Sequence, residues 1–356
     1  MTIFHPLIIK DVVRETKDAV SVSFDVPDEL KEAYSFTQGQ HLTLKEMLEG
    51  EEVRRSYSIC SAVGEPDLRI AVKKIAGGKF SNHANENFRP GAVIEVMEPQ
   101  GRFFTPLLPE NAKHYLAVAA GSGITPIMSI IKTILKTEPS SRITLVYGNR
   151  NVSGIIFLEA LEDLKNVYPD RLNIMHILSR EHQDVELFNG RIDAEKCAAL
   201  FGSVIDVAKL DEAFLCGPEQ MIHAAEAALE AQGMDKSHIH FELFITKAAK
   251  NAGLAPPAIE DIGPTRQVAV VLNGRRSDVE MTEEGKSILD AALMQGLDLP
   301  YACKGGVCST CRAKVVTGEV RMDINYALED DEVAEGFVLT CQSHPLSDDV
   351  VVDYDA

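Results

Sequence analysis

Four cysteines near the end of the chain constrain its fold more than any other feature of the sequence. Cys303, Cys308 and Cys311 follow the spacing C-x4-C-x2-C, and Cys341 lies further along. This spacing is typical of proteins that bind a plant-type [2Fe–2S] cluster. Two ferric ions joined by sulfides need four soft anionic ligands, which thiolates supply. Glycines at positions 305 and 306 let the backbone wrap such a cluster and turn its N–H groups toward sulfur.

Zinc binding and simple burial are the alternative explanations for these thiols. Zinc sites usually take their cysteines from two short C-x2-C-like pairs, whereas this region has one such pair, Cys308 and Cys311. The other three cysteines, Cys60, Cys197 and Cys216, are scattered, and the total of 7 is odd, which disfavours a complete disulfide framework. The sequence therefore favours the cluster.

The first hundred residues contain short β-like runs separated by glycine-containing turns. Such spacing is typical of a small antiparallel β-barrel. The predicted strands are Leu7–Val13, Ala19–Val26, His41–Leu44, Ser56–Cys60, Leu68–Ile75 and Val93–Met97.

After Pro106 the pattern changes to an alternation of buried strands and helices. Tyr115–Ala120 is a continuous apolar run, and a glycine-rich turn joins it to the helical stretch Ile127–Leu135. This alternation predicts an α/β doubly wound parallel sheet with its ligands at the carboxyl ends of the strands. The further predicted elements are the strands Ile143–Tyr147, Leu172–Leu178 and Ala213–Cys216 and the helices Phe157–Asn166, Asp193–Leu200 and Met221–Ala231.

A segment rich in alanine, proline and glycine, Thr246–Gln267, separates this part from a third module and is predicted to be a linker. The third module begins with the predicted strands Val268–Leu272 and Asp278–Met281 and the helix Ser287–Gly296. The expected organisation is multidomain: an antiparallel β-barrel domain at 1–106, an α/β domain at 107–245, the linker at 246–267 and a cluster-binding domain at 268–356.

Charge and hydropathy exclude several classes of function. The net charge of −19 argues against nucleic acid, whose phosphates would repel such a surface. No apolar run is long enough to span a membrane, and Met1–Lys10 lacks the pattern of a signal peptide, so we expect a cytoplasmic protein. Residues 266–356 hold 8 basic and 17 acidic side chains, net −9. This excess fits either a well-solvated domain or a docking face for a basic redox partner.

Two motifs in the first domain have the chemistry of a flavin site. In the sequence R-S-Y-S, the guanidinium of Arg55 can clamp a pyrophosphate, the ring of Tyr57 can pack on an isoalloxazine, and Ser58 can hydrogen-bond near its N5. The glycine-rich turn at 77–78 opens a short helical stretch whose free N–H groups attract phosphate. The predicted contacts in this second motif are Gly78, Phe80 and Ser81.

Both motifs resemble those of the ferredoxin–NADP reductase superfamily, and residues 1–245 follow its two-domain order. The resemblance implies FAD as the flavin. It also implies that Gly121, Gly123 and Thr125 of the loop G-S-G-I-T-P bind the pyrophosphate of NAD(P)H, with Thr125 near the nicotinamide. A lone G-x-G is weak evidence, but this one lies between a buried strand and a helix, where a pyrophosphate loop is expected.

The same resemblance implies roles for two strand ends of the second domain. Cys216 would lie against the nicotinamide and help to set the geometry of hydride transfer, and the turn Gly217-Pro218 would approach the coenzyme. Taken alone, a cysteine such as Cys216 would more often be a small buried hydrophobic residue. Glu242 and Phe244 resemble the terminal Glu-x-aromatic of plant reductases, whose ring covers the flavin, although an ordinary strand end is the alternative. Cys216, Ser58 and Glu242 are thus the predicted catalytic residues.

Coenzyme choice depends on the segment after the strand at 172–178. Ser179 and Arg180 resemble the Ser-Arg pair that grips the 2′-phosphate of NADPH in plant-type reductases, and Arg150 could add a second positive charge. A hydroxyl and a guanidinium suit a phosphate, whereas an acidic residue there would select NADH. The tyrosine that usually completes this pocket is not evident, and Phe188 lies nearby in the sequence. We therefore predict NADPH rather than NADH.

Residues 268–356 resemble a plant-type ferredoxin domain, with a β-grasp α+β fold, and the full chain resembles the reductase components of bacterial phenylacetyl-CoA epoxidases. The resemblance is carried by His5, the Gly-Asn-Arg segment ending at Arg150, the run Asp298–Cys308 and the ending Val350–Asp353. It implies electron flow from NADPH through FAD and the [2Fe–2S] cluster to a di-iron oxygenase, which would dock near the acidic ferredoxin domain. The alternatives are a reductase for a ring-hydroxylating dioxygenase or steroid hydroxylase, a donor to a hybrid-cluster protein, and a redox sensor.

Overall fold

The computed structural model of the chain describes residues 4–244, 266–281 and 286–356. These residues form two compact units. The larger comprises His5–Val53 and Tyr57–Phe244, and the smaller comprises Phe4, Arg54–Ser56 and the residues from 266 onward. Positions 246–265 of the predicted linker lie outside the described residues.

The first domain is the predicted antiparallel barrel. Its strands follow the order β4-β3-β6-β1-β2-β5, and an antiparallel bridge from Ile59 to Ile70 joins the ends of that order. The core is built by alternating apolar residues such as Val20, Val22 and Phe24. The elements are β1 (Phe4–Thr16), β2 (Ala19–Asp25), β3 (His41–Leu48), β4 (Glu51–Ser58), β5 (Leu68–Lys73), helix α1 (Lys79–Asn87) and β6 (Val93–Met97).

The second domain is a five-stranded sheet in which every neighbouring pair is parallel, as predicted. The strand order is β11-β10-β7-β8-β9. Strands β8 and β9 follow β7 on one side of it, and β10 and β11 then lie on the opposite side of β7. The strand order therefore reverses between β7 and β10. Ligands of open α/β sheets bind at such a reversal. The elements are β7 (His114–Ala120), α2 (Ile124–Thr137), β8 (Arg142–Asn149), α3 (Leu158–Val167), β9 (Leu172–Leu178), α4 (Ala194–Ser203), β10 (Glu212–Gly217), α5 (Glu219–Ala231) and β11 (Ile239–Leu243).

The barrel and the parallel sheet share one buried cluster. Ala19, Cys60 and Ala71 of the barrel belong to the same apolar core as α2 and β7. Polar contacts add to this: the Ser129 hydroxyl donates to the Ser61 carbonyl at 2.6 Å. The two domains are therefore packed as a single unit, which fixes the residues that approach each other across their boundary.

The cluster-binding module has a mixed sheet of order β13-β12-β18-β14-β16 and a separate pair β15-β17. Strands β12 and β18 are parallel, while β12–β13, β14–β16 and β14–β18 are antiparallel. Ile288 and Leu289 of its first helix pack against Val268 and Val270 of the sheet, as in the predicted β-grasp fold. The elements are β12 (Arg266–Leu272), β13 (Arg275–Met281), α6 (Ile288–Met294), β14 (Arg312–Thr317), β15 (Val320–Met322), α7 (Asp330–Ala334), β16 (Phe337–Leu339), β17 (Ser343–Pro345) and β18 (Val350–Asp353).

The predicted end of the linker is wrong by two residues. Arg266 and Gln267 already belong to β12, where they pair with Met281 and Glu280. The sequence did not reveal the start of this strand, because arginine and glutamine do not continue its apolar pattern. Backbone pairing with β13 places these two residues in the strand. Among the described helices, none has the length and apolar character needed to cross a lipid bilayer.

Candidate electron-transfer sites

The three predicted catalytic residues lie close together at the boundary between the barrel and the parallel sheet. Ser58 and Glu242 share a hydrogen bond, and Cys216 lies on the strand beside Glu242. The Ser58 hydroxyl, at the end of β4, donates to Oε2 of Glu242 at 3.1 Å. Cys216 lies opposite Glu242 in the parallel pairing of β10 with β11. The side chains of Ser58 and Cys216 are buried, with 3% and 0% of their surface exposed. The fold thus brings together residues that are far apart in the sequence.

Burial sets the protonation states of Glu242 and Cys216. It raises the pKa of Glu242 to about 7, and the hydrogen bond from Ser58 opposes the shift. Burial, together with the charge of Glu242, raises the pKa of the Cys216 thiol well above its ordinary value. Cys216 is therefore a neutral thiol and no nucleophile. Glu242 can hold or release a proton near neutral pH.

The predicted pyrophosphate loop forms a tight turn, Gly121–Gly123, between β7 and α2. A Cβ atom at Gly123 would lie 2.0 Å from the carbonyl oxygen of Cys216, so only glycine lets the loop approach β10 this closely. The Tyr147 hydroxyl donates to the Gly121 carbonyl at 2.9 Å, and the buried Thr125 hydroxyl donates to Ser122 O at 2.9 Å. The loop therefore lies at the start of α2, where free N–H groups favour an anion.

The end of β10 shows the same need for small residues. A Cβ atom at Gly217 would come within 3.2 Å of the Cβ of Ala120 and within 2.7 Å of Cε of Met221. Pro218 then takes an extended conformation and caps α5. Phe244 follows β11 and packs partly buried against the shared core. These residues surround the carboxyl ends of β7 and β10, where the strand order reverses.

The flavin motif lies along β4 and at the start of α1. Tyr57 packs against Phe80 with ring centroids 5.7 Å apart, and the Phe80 ring is buried in the barrel core. Gly78 caps α1, and the buried Ser81 hydroxyl accepts from the Ile75 N–H at 3.1 Å. Arg55 is exposed on β4. The contact with the buried Phe80 ring therefore helps to fix the position of the Tyr57 ring. The free backbone N–H groups at the start of α1 can bind phosphate.

The predicted 2′-phosphate site gathers positive charge at the ends of two neighbouring strands. The Arg180 N–H donates to the Arg150 carbonyl at 2.8 Å, so these two exposed residues lie side by side. The Ser179 N–H donates to Asn149 O at 2.9 Å and is held beside them. The carboxylate of Glu181 accepts from the Val152 N–H at 2.8 Å.

Lys73 is a residue that the motifs did not reveal. It ends β5 of the barrel, and a Cβ atom at Gly121 would lie 3.2 Å from its Nζ. Burial and the charge of Arg150 lower the pKa of Lys73, which places it near both the glycine loop and the arginine pair. A lysine at the end of a strand has no local signature, and its role depends on packing between two domains.

The four cluster cysteines are arranged as two pairs. A hydrogen bond shared with Cys308 lowers the pKa of Cys303, and one shared with Cys311 lowers that of Cys341. Within the described ranges, no three His, Cys, Asp or Glu side chains surround one point where a single metal ion could bind. The two pairs together supply the four thiolates that a plant-type [2Fe–2S] cluster requires.

Backbone N–H groups around these thiols fit an anionic cluster. The Gly305 N–H donates to Sγ of Cys303 at 3.2 Å, and Nε2 of Gln342 donates toward Sγ of Cys341 at 3.6 Å. The loop turns through positive φ angles at Lys304, Gly306 and Ser309, which directs successive N–H groups inward. The residues present therefore fit a [2Fe–2S] cluster.

Comparison with known proteins gives the class to which this architecture belongs. The Oxidoreductase FAD-binding domain matches residues 6–104, the Oxidoreductase NAD-binding domain matches 117–227, and the 2Fe-2S iron-sulfur cluster binding domain matches 270–346. The protein is an oxidoreductase that uses FAD, a nicotinamide coenzyme and a [2Fe–2S] cluster. The predictions of FAD, of a nicotinamide coenzyme and of a [2Fe–2S] cluster are thereby confirmed.

The chain belongs to the family of reductase components of oxygenase systems that includes a component of 1,2-phenylacetyl-CoA epoxidase. That relative, from Escherichia coli (strain K12), is 49% identical over 356 residues, covering 100% of this chain and 99% of the relative. The ferredoxin reductase component of 3-ketosteroid-9-alpha-monooxygenase from Mycolicibacterium smegmatis is 36% identical, covering 98% of this chain and 96% of the relative.

Solved structures confirm the multidomain fold. Phthalate dioxygenase reductase, described as modular for electron transfer from pyridine nucleotides to [2Fe–2S], matches with a TM-score of 0.59 at 21% identity, covering 98% of both chains. An intact type IV self-sufficient cytochrome P450 monooxygenase matches with a TM-score of 0.68 at 20% identity, covering 98% of this chain and 41% of the other.

Proposed function

We propose that this protein is the NADPH-dependent reductase component of a phenylacetyl-CoA epoxidase, acting in the cytoplasm. It would pass electrons from NADPH through FAD and the [2Fe–2S] cluster to a di-iron oxygenase. The observation that carries the proposal is the similarity to the epoxidase component along the whole chain. The chemistry of each cofactor site described above supports the same electron path.

When bound, FAD accepts the hydride of NADPH and the cluster accepts one electron at a time, so together they convert a pair of electrons into single ones. The residues of the chain bind and orient these groups. Gly121, Gly123 and Thr125 hold the coenzyme pyrophosphate at the start of α2, assisted by the positive charge of Lys73. Gly217 and Pro218 leave room for the nicotinamide beside Cys216.

Ser58, Cys216 and Glu242 provide the surface against which the nicotinamide meets the flavin. Because Glu242 has a pKa of about 7, its carboxyl is largely neutral below that pH and does not repel the anionic coenzyme. The Ser58 hydroxyl, now bonded to Glu242, can turn its proton toward the flavin ring when the coenzyme enters. Phe244, which follows Glu242 at the end of β11, would cover the flavin when it is bound.

We also propose NADPH as the preferred coenzyme. Arg150 and Arg180 are exposed neighbours, and the Ser179 hydroxyl lies beside them. A pair of guanidinium groups and a hydroxyl suit the 2′-phosphate that distinguishes NADPH from NADH. Glu181 engages a backbone N–H of the Val152 segment, which gives its carboxylate a partner other than a ribose hydroxyl.

The proposed docking site for the oxygenase is the acidic cluster-binding module, with its net charge of −9 over residues 266–356. A steroid monooxygenase is the second candidate acceptor, because its reductase component is 36% identical along nearly the full chain. The higher identity of the epoxidase component favours the epoxidase.

Reconstitution with purified oxygenase components tests the proposal. With the oxygenase components of phenylacetyl-CoA epoxidase, we expect NADPH consumption that depends on phenylacetyl-CoA and is coupled to formation of its epoxide. The oxygenase of 3-ketosteroid-9-alpha-monooxygenase with its steroid substrate should give little turnover. The reverse order of activity would contradict the assignment.

A cysteine variant provides the matched control. Cys308→Ser should abolish epoxide formation while leaving NADPH-driven reduction of ferricyanide, which the flavin can perform by itself. If Cys308→Ser leaves epoxide formation unchanged, the electron path through the cluster is wrong.

A further inference from the structure

Thr340 connects the two segments that supply the second pair of cluster cysteines. It directly precedes Cys341 and is fully buried. Its N–H donates to the carbonyl oxygen of Cys311 at 3.1 Å, and its hydroxyl donates to the same oxygen at 3.0 Å. The peptide of Cys311 is thus held by both donors of the residue beside Cys341.

A second hydroxyl continues this connection. The hydroxyl oxygens of Thr340 and Tyr354 lie 2.6 Å apart. Because Thr340 gives its single hydroxyl hydrogen to Cys311, Tyr354 must be the donor to Thr340.

Tyr354 is itself held firmly. Its N–H donates to the carbonyl of Val271 at 2.9 Å. The carboxylate of the next residue, Asp355, accepts from the N–H groups of Asn273 and Gly274, both at 2.7 Å. The phenol therefore extends toward the cluster segment from the end of β18, the central strand of its sheet, where the backbone is hydrogen-bonded.

We propose that Tyr354 is a positioning residue for the cluster, acting through the relay Tyr354 O–H to Thr340 O–H to Cys311 carbonyl. The relay fixes the Cys311 peptide relative to Cys341 and withdraws electron density from it. The relay ends on the backbone carbonyl of Cys311, and donors directed at the outer shell of a cluster ligand favour the reduced, more negative form of the cluster. The relay therefore raises the reduction potential of the cluster. This inference rests on the proposed assignment of the four cysteines as ligands.

Removing one oxygen tests the relay. In Tyr354→Phe we expect a more negative midpoint potential, changed g values in the electron paramagnetic resonance spectrum of the reduced cluster, and iron release to a chelator about fivefold faster, as the loss of one hydrogen bond allows. Thr340→Val should produce the same changes, and Thr340→Ser, which keeps the hydroxyl, should not. The double variant Tyr354→Phe/Thr340→Val should resemble Thr340→Val, because both changes break one chain of bonds.

Tyr34→Phe is the matched control, because the Tyr34 hydroxyl also makes a 2.6 Å bond, to Val96 O in the barrel. It should leave the cluster potential unchanged. The relay is contradicted if Tyr354→Phe keeps the wild-type potential and spectrum, or if its effects and those of Thr340→Val add fully. Wild-type protein purified without about two iron ions and two sulfides per chain would instead contradict the ligand assignment itself.

Discussion

Glu242 makes the stability of the larger unit depend on pH. Its pKa is about 7 in the folded chain, against 4.5 for an ordinary glutamate. Between these values the folded state binds more protons than the unfolded state, so the free energy of unfolding falls as pH rises. The full effect, reached above pH 7, is about 3 kcal/mol.

Glu242→Gln should remove this dependence, because an amide does not titrate. We expect the variant to lose the decrease in unfolding free energy between about pH 5 and about pH 8, measured by urea unfolding with flavin release as the signal. Glu110→Gln, at an exposed position, is the control and should keep the wild-type dependence. An identical decrease in Glu242→Gln would show that the carboxyl does not have the raised pKa.

Arg180 should decide the choice of coenzyme. Arg180→Ala removes a guanidinium from the proposed 2′-phosphate site, and a lost hydrogen bond to a charged group should raise the KM for NADPH about tenfold or more. The KM for NADH should change little, because that coenzyme has no 2′-phosphate. Arg142→Ala, at the exposed opposite end of β8, is the control. Equal effects of Arg180→Ala on both coenzymes would contradict the assignment.

The turn between β7 and α2 has no room for an added side chain at Gly123. Gly123 has ordinary helical angles, φ −61° and ψ −10°, so its requirement for glycine is one of space rather than of backbone conformation. Gly123→Ala should push the turn away from Cys216, lower the unfolding free energy by about 2 kcal/mol or more and weaken NADPH binding. Thermal unfolding and coenzyme titration measure the two effects.

Gly202 in α4 gives the opposite expectation from the same substitution. A Cβ atom there would meet no atom within 4 Å, and alanine favours a helix over glycine by about 0.5–1 kcal/mol. Gly202→Ala should therefore raise the melting temperature slightly and leave coenzyme binding unchanged. Destabilisation in both variants would mean that contact with Cys216 is not the cause.

Strands with compact apolar runs could be predicted from the sequence, and strands with charged beginnings could not. The predicted bounds of β6 and β9 agree with the structure, because turns limit both runs clearly. Strand β4 begins at Glu51 rather than at the predicted Ser56. Its first five residues were missed because all of them except Val53 are charged, which leaves no apolar alternation to recognise. Arg266, at the start of β12, was missed because a charged residue type gives no apolar pattern.

The candidate sites show a similar division. Residues that belong to a spaced motif, such as Cys303 and Gly123, could be predicted because the motif is local. The bond between Ser58 and Glu242 joins positions 184 apart, and the approach of Lys73 to Gly121 crosses a domain boundary. Such contacts depend on how the barrel packs on the sheet. They could not be predicted from the spacing of residues in the sequence, because that spacing reflects local structure only.

The charge of the whole chain should govern its reactions with artificial electron acceptors. With a net charge of −19, the protein attracts basic cytochrome c and repels anionic ferricyanide. Raising the salt concentration from about 20 mM to about 500 mM should slow reduction of cytochrome c and accelerate reduction of ferricyanide, because screening weakens both interactions. Stopped-flow measurement of both rates checks this, and salt dependence of the same sign for both acceptors would contradict it.

The hydrogen bond between Ser58 and Glu242 has a consequence for how such proteins evolve. One partner comes from the barrel and the other from the last strand of the parallel sheet, so replacing either domain alone would break a shared site. The cluster-binding module, by contrast, carries all four of its cysteines within its own sequence. Gene fusion and domain shuffling should therefore exchange the ferredoxin module freely, while the two nucleotide-binding domains are inherited together as one evolutionary unit.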